Sequence, residues 1–128
     1  MVRSITSKHA AQHENPVPNA AIHRGILVTS GILGKDLTKD YYPSDKAKQV
    51  ELVFQYLQAI LDQAGATLQD VVKLDLYLRD KADRPLVNPH WERLWPDPSH
   101  RPARQAHQSA LPKGCIIQIV AMAVLPAT

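Results

Sequence analysis

In residues 47–64 the apolar side chains Ala47, Val50, Phe54, Leu57, Leu61 and Ala64 recur at steps of 3, 4, 3, 4 and 3. Only an α-helix places such a series on one stripe. Val53, Tyr56 and Ile60 widen the stripe into a face, so this helix has to lie flat on another layer. Ser44 or Asp45 suits its N-cap, and Gly65 suits the left-handed position just past its end. The period then switches. In DVVKLDLYLRD (70–80), Val72, Leu74, Leu76 and Leu78 alternate with Lys73, Asp75, Tyr77 and Arg79. That is a strand with one face on the core. A long amphipathic helix followed directly by a half-buried strand restricts the chain to helices layered on a sheet.

The other segments fill in this frame. RSITSK (3–8) alternates like a first strand, and HAAQHENPVPN (9–19) reads as a proline-bearing loop. AAIHRGILVTSG (20–31) reads as a hairpin turning at Gly25, and residues 31–45 as a long polar connection. Residues 83–87 read as a turn, after which Asn88 can cap a short helix with Pro89 at its first position, running to Trp95. PDPSHRP (96–102) breaks the chain. Residues 103–110 should be extended, with Arg104, Ala106 and Gln108 on one face and Gln105, His107 and Ser109 on the other. CIIQIVAMAVL (115–125) is apolar on both faces, the mark of a central strand or of one covered by a neighbouring subunit. The expected fold is a single α+β domain over residues 1–128: two layers, a mixed six-stranded sheet with two helices on one face. Tyr77, Val120, Met122 and Val124 would lie on the uncovered face, which predicts oligomerisation.

Composition narrows the function classes. The net charge of +3 is scattered, with Arg101 and Arg104 the nearest thing to a basic cluster. Nucleic-acid binding calls for a clustered stripe, so scattered charge argues against it and fits the steering of small anions. The single cysteine, Cys115, lies in an apolar run and reads as an inert buried thiol. MVRSITSKHA lacks the apolar core of a signal peptide, and no run approaches the ~18–20 apolar residues of a membrane span. A cytoplasmic protein is expected.

Most candidate motifs fail on spacing. Of the six histidines, His9 and His13 are four apart but sit in a loop, with no zinc-binding pattern around them. GILGKD (31–36) lacks both the spacing and the Ser/Thr of a phosphate-binding loop. Trp91 and Trp95 read as core anchors of the second helix. Arg104 is different. It follows a rigid Pro-Ala pair, and its planar five-donor fork suits bidentate capture of a carboxylate. Arg101 and His100 read as solvated loop residues.

RPAR followed by a strand, then LPKG and an apolar strand ending in AMAV, resembles the RidA/YjgF/UK114 family of reactive-intermediate deaminases. LVTSG (27–31), the helix and strand of 49–78, and VNPHWERLWPD (87–97) fall in the family's order. The resemblance runs from about Pro16 to Leu125. It implies a chorismate-mutase-like subunit in a barrel-shaped homotrimer with ligand clefts between subunits. It further implies hydrolysis of enamines or imines such as 2-aminoacrylate to a keto acid and ammonia, with no metal and no organic cofactor. Carried over, Arg104 would hold the substrate carboxylate, the backbone of Ser30 and Gly31 would line the pocket, and Asn88 would stand near the cleft.

The departures fall around that anchor. Where the family commonly has Pro-Tyr-Ser-Gln-Ala this chain has PVPNA, so Val17 replaces the tyrosine. Gln105-Ala106 stands in place of Ser-Cys, and Gln118 in place of a glutamate thought to position or activate water. An amide orients water but cannot accept its proton, and losing general acid–base help is worth roughly 10²–10⁴ in rate. Val17 and Ala106 make the pocket more apolar, and Ala106 makes it roomier. Both changes favour a substrate larger than or different from 2-aminoacrylate, such as an aminomuconate-type acid. Three readings follow: a trimeric deaminase of altered specificity, a non-catalytic trimer that binds a carboxylate metabolite, and, disfavoured by the dispersed charge, an RNA-binding or translation-related protein.

Overall fold

The computed structural model describes residues 1–126. Its strands are β1 (Arg3–Ile5), β2 (Ala20–His23), β3 (Ile26–Thr29), β4 (Ile32–Leu33), β5 (Val71–Leu78), β6 (Ala103–Gln108) and β7 (Ile117–Val124). Its helices are α1 (Lys46–Ala64) and α2 (Asn88–Leu94). The strands form one sheet in the order β1-β2-β3-β7-β5-β6, with β4 paired to β7 beside that path. β5 and β6 run parallel and every other pairing is antiparallel, so the sheet is mixed. Among the described residues it has seven strands rather than six. The extra one, β4, lies in the stretch read as a polar connection and is too short to show a period.

Asp45 caps α1 by accepting from the Ala47 amide at 2.9 Å, and Gly65 ends it at φ 76°. The helix buries Val50, Val53, Phe54, Leu57, Ile60 and Leu61 against Leu27, Leu74, Leu76, Leu78, Ile117 and Ile119 of the sheet. Each such side chain contributes about 1.5–3 kcal/mol on burial. The β2–β3 hairpin turns on Arg24 and Gly25, both at positive φ, the twist that suits a two-residue connection.

Several expectations need correction. Val72 is exposed at 46%, and Val71 takes the core position instead. A register shift between Val71 and Lys73 puts one extra residue into β5, which reverses the alternation at its start. β1 stops at Ile5, short of the predicted Lys8. Residues 81–87 are a 3₁₀ helix capped by Asp80 rather than a simple turn. Asn88 is not an N-cap: it has helical dihedrals as the first residue of α2, because the preceding 3₁₀ turn runs straight into the helix. Its side chain is therefore available for other partners. Arg101 is not a solvated loop residue either: half-buried, it donates from Nε to the Trp95 carbonyl at 2.8 Å and clasps the end of α2.

The sheet face away from the helices carries Ile26, Val28, Val72, Met122 and Val124, each at least 37% exposed. Tyr77 and Val120 on the same face are half-buried. No helix among the described residues is long and apolar enough to cross a membrane.

Candidate functional site

The predicted site residues fall into two groups on opposite faces of the sheet. The first group is built where the chain leaves β3. Ser30 is pinned by its amide to the Asn19 carbonyl at 2.9 Å and by its hydroxyl to the Pro18 carbonyl at 2.8 Å. These bonds hold the 15–19 loop, and with it the exposed Val17, beside the Ser30–Gly31 backbone. Gly31 lies directly against the Gln118 side chain, so close that a Cβ there would overlap the carboxamide. Gln118 is opposite Leu33 on one side and Tyr77 on the other. Tyr77 points away from the core, which puts Val17, Ser30, Gly31 and Gln118 together at the open face.

The second group is built on the edge strand β6 and on α2. Arg104 is paired with Leu74 and Ala106 with Leu76, both fully buried, so both side chains lie on the helix-covered face. There the Arg104 Nη1 donates to Asn88 Oδ1 at 2.9 Å, and the guanidinium lies 5.2 Å from the centre of the Trp91 ring. Burial, with the nearby Arg84 charge, lowers the Arg104 pKa from its ordinary value. An arginine nevertheless stays charged at neutral pH. One of its five N–H donors is used by Asn88 and the remainder form no hydrogen bond within the described residues. A half-buried cation with spare donors, held by an amide and a ring, is prepared for an anion.

Trp91 was missed as a site residue. It is three positions after Asn88, and on a helix that spacing shares a face. Trp95 is the core anchor expected, 2% exposed with its indole N–H donating to the Leu68 carbonyl at 2.9 Å. His107 faces away from Arg104, as the alternation predicts. Its Nε2 lies 3.0 Å from Asp75 Oδ1 and its ring stacks on Tyr77 at 4.7 Å. No three metal-ligating side chains converge among the described residues.

A mixed sheet with two helices on one face, and an arginine held by an amide and an indole at its edge, defines the class: a two-layer α+β domain with a half-buried guanidinium at the sheet edge. The family model described as Endoribonuclease L-PSP matches residues 7–125. The chain is 36% identical over 100 residues to the 3-aminoacrylate deaminase RutC of Acinetobacter baylyi, covering 77% of this chain and 78% of that one. It is 28% identical over 126 residues to the 2-iminobutanoate/2-iminopropanoate deaminase of Escherichia coli, covering 97% and 98%. The crystal structure of RidA from the Antarctic bacterium Psychrobacter superposes with a TM-score of 0.87 at 30% identity, covering 96% of this chain and 99% of that one. The protein belongs to the RidA/YjgF family.

Proposed function

We propose that this protein is a cytoplasmic homotrimeric enamine/imine deaminase whose active site is completed between subunits. Its substrate would be a 2-amino-unsaturated acid different from or larger than 2-aminoacrylate, such as an aminomuconate-type acid. The observation that carries the reading is the Arg104 guanidinium, held by Asn88 and Trp91 with unused donors. Relatives named as deaminases of 3-aminoacrylate and of 2-iminobutanoate supply the reaction class.

The chemistry asks little of the protein. The enamine tautomerises to an imine, water adds to the imine carbon, and the carbinolamine expels ammonia to leave a keto acid. Arg104 orients the carboxylate, a charge-assisted contact worth about 1.5–3 kcal/mol. Gln118, packed on Gly31, orients water through its carboxamide without taking a proton, and proximity contributes the rest of the acceleration. Arg104 and Gln118 lie on opposite faces of one chain's sheet, so a second copy is needed to bring them to one substrate. The exposed apolar residues of the open face supply a surface for that contact.

A coupled assay tests the proposal. 2-Aminoacrylate or an aminomuconate is generated in situ and ammonia release is followed with wild type and Arg104→Ala. Wild type should accelerate release on at least one member of such a panel and Arg104→Ala should lose most of that acceleration. No acceleration on any member defeats the deaminase reading. The carboxamide at 118, where the family has a carboxylate, favours one competing reading, a trimer that binds a carboxylate metabolite without turning it over. Tight binding of keto acids without imine hydrolysis would establish it.

A further inference from the structure

Beside Gly31 the surface opens into a cleft of about 290 Å³, walled by the 11–15 loop, Leu33, Lys35, Tyr42 and Pro112. Gly31 lines this cleft and also abuts the Gln118 side chain, so the two adjoin at that residue. Their far wall is a built structure. Asp36 Oδ1 accepts from the Thr38 amide and hydroxyl at 2.8 Å and from the Lys39 amide at 3.0 Å, which folds residues 36–40 on themselves. The buried Tyr56 hydroxyl donates to the Lys35 carbonyl from below. Gln49 donates to the Pro43 carbonyl at 2.7 Å and fixes the far end of the segment. The backbone carrying Lys35 and Tyr42 is thereby anchored to α1.

The charge in this cleft is specific. The Lys35 side chain is only 20% exposed, and its ammonium lies 5.9 Å from the centre of the Tyr42 ring. Its ion-pair partner, Asp40 at 3.1 Å, is 89% exposed. An ion pair with one end in open water is readily exchanged for another carboxylate. The hydrogen bond to Asp40 raises the Lys35 pKa and burial opposes it, so the side chain stays an ammonium. Glu14 is the one acid lining the cleft; it stands exposed on its loop, and its charge, like that of Asp40, favours the Lys35 ammonium, while His13 is half-buried there.

We infer that Lys35 is a specificity-determining residue: the cleft beside Gly31 takes the far end of the substrate, and Lys35 binds a second carboxylate there. The substrate class is then a dicarboxylate, one carboxylate on Arg104 of one copy and the other on Lys35 of its neighbour. This rests on the composite site proposed above. It deepens that reading by saying which larger acids the site selects.

The test compares wild type, Lys35→Met and Lys35→Arg on two imines generated in situ, a monocarboxylate and a dicarboxylate of equal chain length. Wild type should favour the dicarboxylate in kcat/KM. Lys35→Met should lose about tenfold on the dicarboxylate and stay within about twofold on the monocarboxylate, while Lys35→Arg should keep the preference. Equal losses on both substrates, or none, overturn the inference. In parallel, calorimetry measures the binding of succinate, glutarate and adipate against butyrate, valerate and hexanoate. At least one dicarboxylate should bind more tightly than its partner to wild type, and the gap should close in Lys35→Met. If no imine is hydrolysed but the gap appears, the deaminase reading fails and the Lys35 subsite stands. If imines are hydrolysed with no preference and no gap, the subsite fails alone.

Discussion

Arg104 and Gln118 point to opposite faces of one sheet, separated by the intervening strand β5: Arg104 pairs with the buried Leu74 and Gln118 with the outward-facing Tyr77. One chain therefore cannot apply both to one ligand. If each site draws Arg104 from one copy and Gln118 from the next, two inactive variants should repair each other. Arg104→Ala and Gln118→Ala, each nearly inactive alone, are unfolded together and refolded at equal concentration. Random assembly into closed rings then restores about one site in four, each with a wild-type pair of groups. Mixed oligomers that regain no activity would exclude a composite site.

Gly31→Ala tests the contact that shapes the Gln118 group. The added methyl overlaps the Gln118 carboxamide, the movable end of a flexible side chain, so the fold should survive with Tm lowered by only a few degrees. Gln118 must swing away, and kcat/KM for imine hydrolysis should drop about tenfold or more, since small displacements of orienting groups are costly. A variant with full activity would mean that the position of Gln118 does not matter to the reaction.

The helix stripe, the alternation of β5 and the outward turn of His107 were all legible because each depends on local period alone. The bulge at Val71–Lys73 was not, because an extra residue in a strand leaves no mark in an alternation that begins there. β4 is two residues long and exists only through its pairing with β7. Asn88 looked like a cap because its residue type and the following proline fit one; the 3₁₀ turn feeding into α2 removed that role and left its carboxamide for Arg104. Arg104 stands out as a candidate in RPAR, but its Asn88 and Trp91 contacts exist only once α2 is folded beside β6. The Lys35 cleft was invisible, since Lys35, Tyr42, Gly31 and the 11–15 loop meet only in three dimensions.

Gln49 joins segments far apart in sequence. This buried glutamine donates to the Pro43 and Gly114 carbonyls at 2.7 and 2.8 Å and accepts from the Ile116 amide at 3.0 Å. Gln49→Ala strips three partners of a buried hydrogen bond and leaves a gap. The expected loss is about 2–4 kcal/mol of stability, read from urea unfolding. A loss below about 1 kcal/mol would show that water enters and replaces the carboxamide.

Cys115 is fully buried, and burial pushes its thiol above the ordinary value of 9.0, although a backbone hydrogen bond with Ile117 and the Arg79 charge work the other way. Only the thiolate reacts, so a thiol reagent should label native protein at least about a hundredfold more slowly than urea-unfolded protein. Above pH 9 the unfolded chain releases a proton that the folded chain keeps, so stability falls as pH rises. Cys115→Ala should flatten that alkaline slope, and an unchanged slope would assign it to other groups.

His90 contributes on the acid side in the opposite sense. Its ring stacks on Phe54 at 5.5 Å, and burial, with the Arg93 charge, lowers its pKa from 6.5, while Glu51 opposes the shift. Arg93 Nη2 also lies 3.1 Å from His90 Nδ1, a contact that suits a neutral ring nitrogen accepting from a guanidinium. Below about pH 6.5 the unfolded chain takes up a proton that the folded chain resists, so the unfolded state binds more protons and stability falls with pH. The loss begins as pH drops through the unfolded value and levels off below the folded one. His90→Gln should weaken the protein modestly at pH 7, through the lost stacking, and flatten the decline of the urea midpoint between pH 7 and 5. If the variant declines as steeply as wild type, the ring titrates freely in the folded state and the Arg93 contact does not hold it neutral.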